Sequence, residues 1–225
     1  VGCDADGDFV VAWQHSNFPW NYPTTVKNAI FARTYGSNGS PHQTPEFLVS
    51  GATTVHWNRP SVDSADNGNF VVAWYGYDNP VWNYSTFARR YDFDGDSLGS
   101  QFMVNDGAGD PTGSAEGIPS VGMDSDGDFV IVWKEWCGNT TCRDEILARG
   151  YTSGGSDLFS EFQVNTYTTE NQGNPEIVLA GGGIGKFVVV WETDYSDTAD
   201  PEDCVKGQLY TSTVIPVELQ KFITE

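Results

Sequence analysis

Five apolar residues closing on a tryptophan recur four times along this chain, each time behind a tight polar turn. The copies read Asp4-Ala-Asp6-Gly-Asp8-Phe-Val-Val-Ala-Trp13, Asn67-Gly-Asn69-Phe-Val-Val-Ala-Trp74, Asp124-Ser-Asp126-Gly-Asp128-Phe-Val-Ile-Val-Trp133 and Gly185-Lys186-Phe-Val-Val-Val-Trp191. A run of five is too short for a buried helix, and its Val, Ile, Phe and Trp content is that of a strand with both faces covered. The tryptophans lie 61 (13 to 74), 59 (74 to 133) and 58 (133 to 191) residues apart, a period found in propeller blades and other β arrays.

The rest of the unit repeats in step. Ser120 to Met123 precedes the Asp126-Gly127 hairpin signal and reads as a first strand, and Phe129 to Trp133 as the second. A third strand follows a variable loop in each copy, ending in tyrosine at Tyr35, Tyr91, Tyr151 and Tyr210. A Gly-rich turn then leads to a fourth strand at Phe47-Leu-Val49, Phe102-Met-Val104-Asn105 and Phe162-Gln-Val164-Asn165, with a divergent Val214 to Phe222 in the last copy. Pro60, Pro119 and Pro175 mark the joins, so the repeats run about 1–59, 60–118, 119–174 and 175–225 within one domain, 1–225. The fold class this implies is all-β: four repeats of four antiparallel strands, propeller-like, closing as a four-bladed ring or standing as an open segment of a longer array.

Thirty-one acidic against eleven basic residues give a formal charge of −20, which repels phosphate backbones and anionic membrane surfaces and excludes nucleic acid as a partner. No run of 18 apolar residues and no basic-plus-apolar leader is present, so a mature chain without membrane insertion is expected. Four cysteines without a Cys-x-x-Cys pair point to two disulfides and an oxidising compartment. Cys137 and Cys142 share one short loop and can close it; Cys3 and Cys204 would then clasp the first repeat to the last, although four cysteines permit three pairings.

The pattern Pro-x-Val, Asp-x-Asp-Gly-Asp-Phe-Val-Val-x-Trp, Ala-Arg-x-Tyr, Gly, Phe-x-Val-Asn resembles tandem repeats of large secreted and cell-surface bacterial proteins, a group with no single activity. In addition, Ile215-Pro-Val-Glu-Leu-Gln-Lys-Phe222 is similar to the Pro-Val-Glu-Leu segment that precedes the sorting domain of type IX secretion substrates in Bacteroidetes. These resemblances imply a secreted or cell-surface adhesion protein.

Three acidic triplets stand out: Asp4/Asp6/Asp8, Asp124/Asp126/Asp128 and Asp92/Asp94/Asp96. Carboxylates at positions one, three and five of a loop can hold Ca²⁺, with carbonyls and water completing the shell, so structural calcium is the expected cofactor. An Asp-Gly hairpin explains the same residues without a metal, and the fourth copy keeps the turn with Ile184 and Lys186 in their place. The loop after the second strand carries Trp20 and Tyr22, Trp82 and Tyr84, and Trp136. Rings flanked by amides and carboxylates suit the CH faces and hydroxyls of a sugar, or equally the sealing of blade ends. Arg33, Arg89 and Arg149 occupy one strand position beside the tyrosines and read as structural. His15, His42 and His56 lack metal spacing, and no nucleophile motif is present, so no catalytic residue is assigned. The leading expectation is a secreted, non-catalytic module binding extracellular polysaccharide or a surface protein. The alternatives are a carbohydrate-active enzyme, lyase or glycoside hydrolase, and a structural repeat of a surface filament.

Overall fold

The computed structural model describes residues 1–16, 28–42, 44–51, 56–78, 83–106, 117–135, 143–166, 168, 170–193, 204–211 and 215–217. These residues form four successive groups of four strands. The first group is β1 (Gly2–Cys3), β2 (Phe9–Ser16), β3 (Asn28–Tyr35) and β4 (Phe47–Leu48); the second is β5 (His56–Ser64), β6 (Phe70–Asp78), β7 (Asn83–Tyr91) and β8 (Phe102–Met103). The third is β9 (Ser120–Met123), β10 (Phe129–Glu135), β11 (Glu145–Tyr151) and β12 (Asp157–Gln163); the fourth is β13 (Gln172–Ala180), β14 (Lys186–Thr193), β15 (Cys204–Thr211) and β16 (Ile215–Val217). Within each group the strands follow one another as an antiparallel meander. A single parallel bridge, Asn28 to His56, joins the first two groups into one eight-stranded sheet.

The repeated Phe-to-Trp strand shows why the groups stack. Its first, third and fifth residues face the preceding blade, and its second and fourth face the following one. Phe70, Val72 and Trp74 pack on Val10, Ile30 and Ala32. Phe129, Ile131 and Trp133 pack on Val71, Ala73 and Ala88. Phe187, Val189 and Trp191 pack on Val130, Val132, Ile146 and Ala148. In β6 and β10 every residue from Phe to Trp is therefore at most 1% exposed. Each fully buried side chain of this size contributes roughly 1.5–3 kcal/mol, so three such interfaces dominate the stability.

The first strands lie side by side and point the same way. A side-chain carbon at Gly2 would sit 2.9 Å from Asp63 Cα, which leaves room only for glycine. The Val121 and Met123 amides donate to Ser61 Oγ and Asp63 Oδ2 at 3.1 and 2.9 Å, and Ser120 Oγ donates to Glu176 Oε2 at 2.8 Å. These contacts hold the inner edges of successive blades together.

The fourth strands are shorter than the sequence pattern suggests in the first two blades, because the chain leaves the ladder at the conserved-looking valine to bury it. Val49, Val104 and Val164 are at most 1% exposed, and their amides bond Ile30, Thr86 and Ile146 carbonyls across the blade. The next residue, Ser50, Asn105 or Asn165, accepts from the Ile30, Thr86 or Ile146 amide. The repeated Val-Asn is thus a strand end capped by a side chain. The invariant tyrosines reach backwards from there: Tyr91 Oη donates to Val49 O at 3.1 Å and Tyr210 Oη to Val164 O at 3.0 Å. Burial pushes the Tyr91 hydroxyl up to about 12, so it remains a donor at any physiological pH.

Packing passes from each blade only to the next, and among the described residues the first and fourth blades share no substantial contact. The expected closed ring is therefore corrected to an open, propeller-like arc. The expected Cys3 to Cys204 clasp is corrected with it, since Cys3 is a free, exposed thiol on β1 in the first blade. Cys137 and Cys142 lie outside the described residues. The Pro-Val of the segment likened to the one ahead of type IX sorting domains forms β16, paired to β15 with Tyr210 opposite Pro216 and Leu209 opposite Val217. Among the described residues no helix is long and apolar enough to cross a membrane.

The tyrosine contacts make a graded prediction. Tyr91→Phe and Tyr210→Phe should each cost about 1–2 kcal/mol, because each leaves a buried carbonyl short of a donor. Tyr151→Phe should be neutral or slightly stabilising, because the Tyr151 hydroxyl is buried without a partner. Urea midpoints of the three variants check the order.

Candidate functional site

The meander sorts the chain's candidate groups onto two ends. The turns between first and second strands, and those between third and fourth, lie at one end. The second strands end and the third strands begin at the other, the loop end. Because the inner strands run parallel, the same end carries the same kind of loop in every blade. The acidic triplets thus stand at the turn end.

At the turn end the carboxylates are largely occupied by the backbone. Asp4 Oδ1 accepts from the Asp6 and Asp8 amides at 3.0 and 2.9 Å, and Asp124 Oδ1 accepts from Asp126 and Asp128 at 3.0 Å each. Gly127, at φ 88°, takes the left-handed position that lets the hairpin close. Asp8 and Asp128 reach the neighbouring turn of their own blades, accepting from the Ser37 and Ser153 amides at 2.7 and 2.8 Å. In the third triplet Asp92 accepts from the Asp96 amide at 2.9 Å, and Asp94 lies 2.6 Å from His42 Nε2 of the preceding blade. Among the described residues, no three His, Cys, Asp or Glu side chains converge to hold a metal ion. One oxygen is left over: Asp124 Oδ2 is buried with no partner on a residue 4% exposed, and this burial raises the Asp124 pKa against the opposing backbone hydrogen bonds.

On the inner strands, Asp63 is a titratable group that the sequence did not single out. Desolvation raises its pKa, offset in part by hydrogen bonds from the Met123 and Ser64 amides. With both oxygens engaged by backbone donors, Asp63 clamps β5 to β9 rather than facing a substrate.

A polar cleft of about 150 Å³ opens at the loop end, between the third and fourth blades. It is lined by Ile118, Lys134, Asp144, Gln172, Asn174 and Glu192, among others. Lys134 comes from the end of β10 and Asp144 from just before β11, and the two pair at 3.0 Å with side chains 18% and 13% exposed. Asn174 Nδ2 donates to Glu192 Oε2. Gln172 is 1% exposed and forms the floor. Its Oε1 accepts from Trp191 Nε1 at 2.7 Å and Thr193 Oγ1 at 2.8 Å, its Nε2 donates to Glu170 O, and its backbone amide donates to Asp144 O at 3.0 Å. Asn174 stands at φ 48° just before Pro175, within a bulge that also occurs at Arg59 before Pro60. The proline-led join is what turns the head of the inner strand into the cleft. The arrangement offers two carboxylates, an ammonium and amides to a ligand rich in hydroxyls. No motif marks it in the sequence, because its residues come from five separate segments.

Trp20, Tyr22, Trp82 and Trp136 lie outside the described residues, and Tyr84 is described only as backbone in β7. The three arginines sit over the tyrosines two residues on, with guanidinium carbons 5.7, 5.5 and 5.7 Å from the ring centres. Arg149 also pairs with Asp106 of the preceding blade and, at 2.7 Å, with Asp157. Arg149 thus ties the third blade to the second, while the stacking of Arg33 and Arg89 lies within their own blades.

No protein-family model and no curated protein matches the chain. Solved structures do. An α-L-arabinofuranosidase from Lactobacillus brevis matches at TM-score 0.53 and 9% identity, over 98% of this chain and 75% of that one. An endo-arabinase from Bacteroides thetaiotaomicron matches at 0.52 and 13%, over 96% and 72%. An α-L-arabinanase from Penicillium chrysogenum, complexed with arabinobiose, matches at 0.50 and 14%, over 89% and 60%. At these identities the likeness shows the fold. It corrects the expected kinship, since these neighbours are an arabinofuranosidase, an endo-arabinase and an arabinanase and not type IX secretion substrates or adhesin repeats. The Phe-to-Trp motif reports how blades stack, and unrelated proteins that stack blades face the same demand. The expectations of a non-catalytic binding module and of a non-enzyme are corrected on the same finding.

Asp124 gives a pH test. Its folded-state pKa lies above the ordinary 3.8, so its contribution to stability is fully present below that value and is lost as the pH rises through the raised one. Asp124→Asn keeps an acceptor for both amides and removes the charge. Without divalent cations it should match wild type in acid and become equally or more stable, by about 1 kcal/mol, at neutral pH. Denaturant melts across pH read the difference.

Proposed function

We propose that this protein is a carbohydrate-active enzyme that hydrolyses glycosidic bonds in a polymeric glycan, with an arabinose-containing polysaccharide as the first candidate substrate. The observation that carries the reading is the match of nearly the whole chain to an α-L-arabinofuranosidase and an endo-arabinase. The polar, carboxylate-bearing cleft at the loop end supports it. Glycoside hydrolysis needs one carboxylic acid to protonate the leaving oxygen and one carboxylate to activate water or attack the sugar. Glu192, whose partner is the neutral Asn174 amide, is cast as the acid, and Asp144, tied to the Lys134 ammonium, as the base. A water deprotonated by Asp144 attacks the anomeric carbon as the bond to the glycosidic oxygen breaks, and that oxygen takes the Glu192 proton. Lys134 and Asn174 position the two carboxyl groups and can bind hydroxyls. A polymer cannot enter a cell, so an extracellular location is part of the same proposal.

Wild-type protein incubated with arabinan and other plant polysaccharides should release new reducing ends. Asp144→Asn and Glu192→Gln should each lower kcat by about 10²–10⁴-fold with folding intact by circular dichroism. No product from any polysaccharide in the panel would overturn the reading.

Calcium is a separate part of the proposal and is confined to the turn at Asp124. The unpartnered, buried Asp124 Oδ2 is the feature that supports it, with Asp126 as the neighbouring carboxylate. A cation bound there only in the folded state must raise stability. Millimolar Ca²⁺ should raise the melting temperature of wild type and not of Asp124→Asn; equal melting of wild type with Ca²⁺ and with chelator would remove the ion.

A further inference from the structure

The two carboxyl groups of the cleft belong to different blades: Asp144 stands just before β11 in the third, and Glu192 lies on β14 in the fourth. Their separation is therefore set between blades, and one buried residue bonds to both sides of it. Gln172, 1% exposed, opens β13, and its backbone amide crosses the seam to donate to Asp144 O at 3.0 Å. Its side chain meets β14, where Oε1 accepts from Trp191 Nε1 at 2.7 Å and from Thr193 Oγ1 at 2.8 Å. Trp191 and Thr193 flank Glu192 in sequence, and both are buried, so Gln172 grips the strand on either side of that carboxyl group. On the ladder Gln172 pairs with Thr193 and Gly173 with Glu192, which keeps the backbone that holds Asp144 in register with Glu192.

The grip has one orientation. An indole N–H can only donate, so the Gln172 oxygen must face Trp191, and the amide nitrogen faces the other way, donating to Glu170 O at 2.8 Å. A flipped amide would set its nitrogen against the indole N–H inside a buried site. Resting on the hydrolase reading, we infer that Gln172 is a positioning residue: its backbone amide and its side chain together set the distance between the Asp144 and Glu192 carboxyl groups. An acid and a base that activate a water stand about 6.5–9.5 Å apart, and a misplacement of about 1 Å can cost 10²-fold in rate. Gln172 takes no proton itself and acts through the residues it holds.

Gln172→Asn keeps the amide and shortens its reach by one methylene, so the side chain can no longer span to both Trp191 and Thr193. On arabinan its kcat should fall about 10²-fold with KM within about twofold of wild type. Gln172→Glu keeps the length and the acceptor, and should retain at least about a tenth of the wild-type kcat. Thr193→Val, nearly isosteric, removes one of the two donors and should lower kcat about tenfold; it decides the matter if Gln172→Asn fails to fold by circular dichroism. Tyr210→Phe weakens the same pair of blades away from the cleft, so it should lower the melting temperature and leave kcat unchanged. Crystals of wild type and Gln172→Asn should differ by about 1 Å in the Asp144 to Glu192 separation. Wild-type kcat in Gln172→Asn and Thr193→Val, a fall in Gln172→Glu as deep as in Gln172→Asn, or an unchanged separation overturns the positioning role and leaves the hydrolase reading standing. So does a loss of kcat that Tyr210→Phe reproduces. A wild type that releases no product overturns the hydrolase reading itself, and the role of Gln172 falls with it.

Discussion

The structure depends on one constraint: a strand whose consecutive residues look in opposite directions must be covered on both sides. In each blade the Phe, the third residue and the Trp look back while the two residues between them look forward, so no blade completes its own core. The hydrophobic effect therefore acts between blades, and stability is shared among interfaces in the manner of a repeat protein. Lesser features follow from this stacking. The tyrosine hydroxyl spans to the carbonyl of the previous blade, the Val-Asn step ends the outer strand where that carbonyl is presented, and Asp63 and Ser61 fasten the inner edges.

The same meander separates structure from chemistry. The turn end holds most of the conspicuous acids, yet their oxygens serve amides of their own hairpin or of the neighbouring turn. Among the described residues the loop end holds fewer acids, but there the bulge ahead of Pro175 swings Asn174 towards Glu192, and the Gln172 floor ties Asp144 to the Trp191 strand. A carboxylate bonded to two backbone amides is a structural acceptor, whereas one paired with a lysine at a cleft wall is placed for a ligand. Abundance and placement thus point to opposite ends of the molecule.

Much of the architecture was legible in the order of residues. The four hairpins and the third strands follow from short-range rules, the Asp-Gly turn and β-branched and aromatic runs, whereas Pro60 and Pro175 stand at bulges inside β5 and β13 rather than at their heads. The fourth strands were read too long in the first two blades, because the burial of Val49 and Val104 pulls the chain off the ladder, and too late in the third, where β12 already pairs from Asp157 and ends at Gln163. The pairing of Cys3 with Cys204 failed for a different reason. A count of four suggests pairs, but Cys3 is held by β1 beside the second blade, and pairing is a matter of distance between blades that are far apart along the arc.

By itself the sequence determined that this chain makes four similar four-stranded units, and that each must be stacked, because a two-sided apolar strand has no other stable setting. The tertiary structure alone decided that the stack remains an open arc, and that the acids of the repeat motif mostly brace turns. It also brought Lys134, Asp144, Gln172, Asn174 and Glu192 together at one cleft. The physical reason is range. Turns and strands are set by neighbours along the chain, whereas closure, clefts and the roles of charged groups depend on how successive blades are rotated against one another, and no local motif records that rotation.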